Sequence, residues 1–179
     1  MNQLQIRPKG VSILGWLHLI GGLLGVLFMA SFSMHPALKE TTEGLREFGL
    51  APWFVLLSIL FLFTIGLGSG IGMLRGKKWG WYLGSFYYVY SVIRNVTALW
   101  TISALSTELE GELDSMNRGV EYYYAKHILR VLLHSAIYLY FFRSNVRVFF
   151  GTETTKMTSL ILSQVGICLV IYLVANFLV

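Results

Sequence analysis

Residues 122–142 read YYYAKHILRVLLHSAIYLYFF. The stretch is long and apolar enough to cross a bilayer, since a membrane-spanning helix needs about 20 mostly apolar residues. Yet it carries Lys126, His127, Arg130 and His134, with no carboxylate among them. At roughly 100° per residue these four share one sector of a helical wheel with Tyr123 and Tyr138, while Leu129, Leu132, Leu133, Ala136 and Leu139 occupy the other side. Read as a helix, the segment has one polar stripe and an apolar back. Where that stripe is housed decides the fold.

Four further stretches have comparable length and apolarity: 11–32, 53–74, 81–104 and 158–178. The 179-residue chain is 55% hydrophobic and only 13% charged, against roughly 25% charged in a soluble domain. Its mean hydropathy is +0.64. The expected fold is therefore all-α: a polytopic membrane helical bundle of five transmembrane helices. Residues 1–151 form a four-helix core, and 152–179 a cytoplasmic turn and a fifth helix. The basic start of the first stretch, IRPKG, is compatible with a signal peptide. A cleavable apolar region runs only 7–15 residues, and this one runs to about 22, so a retained helix is expected. No soluble domain remains to carry a separate activity.

Lys and Arg prefer cytoplasmic loops. Arg7, Lys9, Arg75, Lys77, Lys78, Arg143, Arg147 and Lys156 fall on one side of an alternating five-span path, with Glu153 the acid among them. The other side holds Lys39, Arg46 and Arg118 together with Glu40, Glu43, Glu47, Glu108, Glu110, Glu112, Asp114 and Glu121. This asymmetry puts the N-terminus in the cytoplasm and the C-terminus outside. The +5 net charge then belongs to the rim and the spans. It suits anionic lipid headgroups and does not point to nucleic acid. The lone cysteine, Cys168, excludes an internal disulfide and a paired-thiol redox chemistry.

Small residues four apart let helices approach closely. Gly21/Gly25, Gly66/Gly70 and Gly68/Gly72 have that spacing. The GLGSG run, 66–70, is not a phosphate loop, because it follows an apolar helix rather than a strand and no Gly-Lys-Ser/Thr comes after it. In the turn GKKWGW, Trp79 and Trp81 are expected in the aromatic belt at the interface. The outer loop 34–52 is expected to hold a helix on the membrane surface, with Leu38, Leu45 and Phe48 on one side. The acidic loop after the third stretch reads as solvated.

The third stretch has a polar stripe of its own: Tyr87, Tyr90, Ser91, Thr97 and Thr101 surround Arg94. At about 1.5 Å per residue, Arg94 and Arg130 lie at similar depth on consecutive antiparallel helices. Charged groups at such depth face a protein interior or a wet cavity. No acid lies within the five stretches to pair with them. Water, an anionic ligand or lipid phosphate held by the guanidinium forks, or backbone carbonyls and tyrosine oxygens can answer the charge. The candidate ligand-binding residues are Arg94, Arg130, His127, His134, Tyr87, Tyr90 and Lys126, the last also placed to snorkel to the interface. The same absence of intramembrane acids argues against proton- or sodium-coupled transport.

His18 and His134 also reach similar depth, which raises a haem bridged between the first and fourth helices. No ligand cluster has zinc spacing, and no Ser-His-Asp set, carboxylate pair or nucleophilic cysteine can be assembled. Neither a cofactor nor an enzymatic activity is expected.

Three motifs, RPKGVSILGWLHLIGGLLGVL, GIGMLRGKKWGWYLG and LYFFRSNVRVFFG, resemble a group of small multi-pass bacterial and archaeal membrane proteins of unknown function. These have four helices, a basic-Trp turn between the second and third, and an Arg/aromatic cytoplasmic segment after the fourth. The resemblance covers about residues 7–151. It implies a four-helix core in a plasma (inner) membrane and brings no activity or site residues; the fifth stretch and the basic stripe depart from it. The expected function is a non-enzymatic membrane protein binding an anionic ligand or lipid headgroup in a basic cavity. The alternatives are an oligomeric pore and an accessory subunit of a larger membrane complex. The expected partners are membrane lipids, with a homo-oligomer or a larger complex beside them.

Overall fold

The structure, a computed structural model, describes residues 7–32, 52–104 and 119–177. The surface helix expected within 34–52 and the acidic loop after the third helix lie outside the described residues. Among the described residues the chain is helical with no strand: α1 Lys9–Phe32, α2 Pro52–Leu74, α3 Lys78–Ala104, α4 Val120–Phe141, α5 Ser144–Phe150 and α6 Met157–Phe177.

Three of these helices are long and apolar enough to span a membrane, not the five expected: α1, Leu56–Leu74 of α2 and Met157–Val174 of α6, with mean hydropathies of 2.0, 2.0 and 2.1. At 27 and 22 residues α3 and α4 have the length. They lack the apolarity, because α3 is rich in Tyr and Ser around Arg94 and Asn95, and α4 carries the basic stripe. The exterior is nonetheless greasy. Ile13, Leu17, Leu24 and Phe28 on α1 and Leu162, Leu169 and Val170 on α6 are exposed. So large an apolar surface needs a lipid neighbour, and the protein is a helical membrane bundle.

The buried positions of α1 are Val11, Gly15, His18, Gly22 and Gly25. They alternate steps of four and three, the spacing that keeps one seam against a neighbouring helix. The neighbour is α2. A Cβ at Gly22 would run into the Leu67 backbone, one at Gly25 into the Phe63 ring, and one at Gly70 would come within 2.5 Å of the Leu19 nitrogen. Gly21, expected in this seam, faces open space instead. Helix α2 turns into α3 through Gly76, at φ 61°, and the two backbones touch at Gly72 and Gly80.

At this end the bundle is closed. Trp81 is 0% exposed among Val11, Met73, Phe141 and Val146, and its Nε1–H donates to the Phe141 carbonyl at 2.9 Å. This corrects the interfacial expectation. The turn is so short that Trp81 falls in the first turn of α3, some 200° round from Trp79, and only Trp79 stays at the surface, 43% exposed. The Arg7 guanidinium donates to the Leu74 carbonyl. Helix α5 folds back into the same core through Val146 and Phe150 and ends at Gly151, whose φ of 63° closes it. Arg147 then ties the turn to α6, its Nη2 donating to the carbonyls of Thr152 at 3.1 Å, Thr155 at 2.9 Å and Glu153 at 2.5 Å.

Helix α3 is the hub, packed by α2, α4 and α6. The last docks through one polar clasp. Gln164 Nε2 donates to Ser85 Oγ at 2.7 Å, and Tyr138 OH donates to Gln164 Oε1 at 3.2 Å. One turn further out Cys168, 2% exposed, is packed in a cluster with Ile65, Phe86 and Val89. The fifth long helix thus packs beside the four-helix core.

Candidate functional site

Antiparallel helices α3 and α4 are held by successive polar rungs. Beyond Trp81–Phe141, Ser91 Oγ meets His134 Nδ1 at 2.7 Å. Farther out, His127 Nδ1 lies 2.8 Å from Asn95 Oδ1, while Asn95 Nδ2 donates to the Ser91 carbonyl at 2.7 Å. Because Oδ1 only accepts, His127 carries its proton on Nδ1. Asn95 is buried, so this satisfied amide inside an apolar bundle fixes the register of the two helices.

A second set links α1, α2 and α3. Ser69 Oγ donates to the Gly66 carbonyl at 2.9 Å. Its only proton is thereby used, so His18 Nδ1–H donates to Ser69 Oγ at 2.5 Å and His18 Nε2 accepts from Tyr88 OH at 2.7 Å. Both ring nitrogens of His18 are occupied. The Tyr87 ring meets the His18 ring edge-on at 4.7 Å, and Tyr88 lies 5.8 Å from His134.

Between the α1–α2 and α3–α4 pairs these side chains wall a cavity of about 280 Å³. His18, Tyr87, Tyr88 and His134 form its polar wall; Leu17, Phe63 and Ile137 contribute apolar surface. Arg94 stands seven residues outward from Tyr87 and Arg130 seven outward from Ile137. Seven residues are two helical turns, so each arginine continues the cavity-lining face about 10 Å farther out. Both guanidinium groups are near enough for their charges to act on His127 and His134. Both are exposed, and among the described residues neither makes an ion pair or a hydrogen bond. The described carboxylates, Glu121 in the first turn of α4 and Glu153 between α5 and α6, are elsewhere.

Of the seven expected residues, His134 and Tyr87 line the cavity, and Arg94, Arg130 and His127 stand along its outward continuation. Lys126 lies near the ring faces of Tyr122 and Tyr123, at 6.0 and 5.8 Å from their centroids. Tyr90 parts from the set. Its ring lines a separate cleft between α2 and α6, though the Arg94 charge still reaches it. Thr97 and Thr101 bond back to their own helix, to the carbonyls of Ile93 and Thr97, and contribute nothing to a site.

Tyr88, Asn95 and Ser69 stand outside the expected set and do most of the polar work. Tyr88 also bears on the haem question. It sits between the two histidines, with its hydroxyl on the His18 nitrogen that would have to face an iron. The pair does not fit a bridged haem. Among the described residues no three His, Cys, Asp or Glu side chains converge as metal ligands.

No protein-family model matches the chain, and comparison with curated proteins and with solved structures gives no match. What stands is the class defined by the fold and the cavity: a helical membrane bundle with a histidine–tyrosine cavity below two arginines.

Proposed function

We propose that this is a non-enzymatic integral membrane protein that binds an anionic ligand or lipid headgroup at the mouth of the cavity between α1–α2 and α3–α4. Arg94 and Arg130 hold the anion. His127 and His134 stand behind them, and Tyr87 lines the passage inward. The observation that carries the reading is the pair of guanidinium groups at one level with no acid beside them among the described residues. A charge in that position has to be answered by something the described residues do not supply, and a guanidinium fork matches phosphate or carboxylate oxygens.

The reading takes α3 and α4 as membrane-crossing too, giving five spans. Helix α4 supports this by being inside out: its histidines face α3, while Leu129, Leu132, Leu133 and Leu139 are turned outward and exposed. A helix of a water-soluble bundle has the opposite arrangement. Ser85, Ser91 and Asn95 of α3 are buried among the helices packed round it. The basic residues Arg7, Lys9, Arg75, Lys77, Lys78, Arg143, Arg147 and Lys156 gather at the closed end, which we take as cytoplasmic. The bacterial or archaeal plasma membrane follows only from the sequence resemblance.

The test is retention of bound lipid. Purified in mild detergent and examined by native mass spectrometry, the wild-type chain should carry anionic phospholipid mass. The Arg94→Leu/Arg130→Leu variant should carry one anionic phospholipid fewer while keeping its helical circular dichroism; an unchanged number of bound lipids would sink the reading. A pore through one chain is disfavoured by the Trp81–Met73–Phe141 plug, so the pore reading requires an assembly of copies.

A further inference from the structure

We propose a second ligand site, independent of the first: the cleft between α2 and α6 holds one anionic phospholipid, its phosphate at Lys156 on the basic end and an acyl chain along the groove. Three open spaces follow one another there. The first, about 370 Å³, is polar and lies under the start of α6, lined by Tyr82, Thr155, Lys156, Ser159 and Ser163. The next, about 400 Å³, shares Tyr82, Leu160 and Ser163 with it and is otherwise mostly apolar, floored by Leu83 and Phe86 of α3. The third, about 310 Å³, shares Phe61 with the second and runs on past Tyr90 to Ile171 and Val174.

The polarity is graded along one line. Lys156 is exposed and, among the described residues, makes no ion pair. Tyr82 OH and Thr155 Oγ1, 3.2 Å apart, add hydroxyls beside it. The neighbouring charges are unequal to replacing it. Arg147 is turned onto carbonyls, Lys78 lies against Gly151, and Glu153 is an exposed acid that would repel an anion. From Ser159 to Val174 the groove follows α6 for about 22 Å, more than the ~15 Å of hydrocarbon in one leaflet, so a whole acyl chain fits. A helix from a second copy would match the apolar length but leave the lysine and hydroxyls at its head unanswered. A phospholipid of the leaflet at the basic end matches both.

Ser163 sits where the polar and apolar spaces join. It is exposed, and among the described residues its hydroxyl bonds to the Leu160 carbonyl of its own helix and to nothing else, so Ser163→Trp blocks the passage without breaking a contact between helices. The full chain in mild detergent is titrated with phosphatidylglycerol and, separately, with phosphatidylcholine of the same chains, and bound lipids are counted by native mass spectrometry. Each titration is run in the wild type and in Arg94→Leu/Arg130→Leu, so that failure of the central site and failure of this one are told apart. The expected result is preferential binding of phosphatidylglycerol that persists without the two arginines. With the two arginines replaced, it weakens about fivefold in Lys156→Ala, the worth of one basic residue near an anionic headgroup; phosphatidylcholine binding is unchanged there, and Ser163→Trp removes both. Excess inorganic phosphate should not displace the lipid. Equal affinity for the two lipids, indifference to both substitutions, displacement by phosphate, or a wild-type dimer that Ser163→Trp separates would each overturn the proposal.

Discussion

His18 shows how a polar side chain is made compatible with an apolar bundle. Each ring nitrogen has one partner, and the partners come from two different helices. Removing one leaves a buried group unsatisfied, which costs about 1–3 kcal/mol. Tyr88→Phe should therefore lower the melting temperature in detergent clearly. Tyr87→Phe, whose ring meets His18 through its edge, should be near neutral, and equal losses would refute the assignment. Little of this could be read from the sequence. The charged residues announce themselves in an apolar stretch, so Arg94, Arg130, His127 and His134 were legible. A wheel centred on Arg94, however, points along the cavity mouth rather than at α4. Asn95, one residue or about 100° on, is what faces α4, and Tyr88 lies off that stripe altogether. Tyr90 was drawn in by the same centring and faces α6 instead.

The long helices lie close to the five expected stretches, but α1, α2 and α6 alone of the described helices are apolar enough to span a membrane, because the Tyr, Ser and basic residues of α3 and α4 lower their hydropathy. The seven-residue α5 was not expected. Its signal is present in the spacing of Val146 and Phe150, both buried, just before the left-handed Gly151, but a single turn or two of helix is easily taken for a loop. The glycine pattern was legible in kind and partly wrong in register. Four-residue spacing found Gly25, Gly70 and Gly72, yet chose Gly21 over Gly22. The actual seam of α1 alternates four and three, and only that rhythm puts His18 and the glycines on one face. The two adjacent glycines give a direct comparison. Gly22→Ala drives a methyl group into the Leu67 backbone and should destabilise by roughly 1–3 kcal/mol, the range for overpacking a filled contact. Gly21→Ala adds a methyl into open space and should melt like the wild type.

As a whole the molecule is two helix pairs sealed at their basic end, with α6 laid against α3. The alternating path carries a topological prediction: a reporter fused after Val179 should be active outside the cytoplasm, and one inserted after Lys77 inside it. The reverse pattern would invert the orientation drawn from the basic residues. Helix α6 has the slightest attachment of the long helices, one glutamine clasp above a small apolar cluster. That attachment covers the single thiol of the chain. Cys168 therefore acts as a clock: a membrane-permeant maleimide can react only when α6 lifts away, so its labelling rate under slow opening counts departures of the helix. Gln164→Leu, which removes the clasp, should quicken the clock, and a lipid seated beside α6 should slow it.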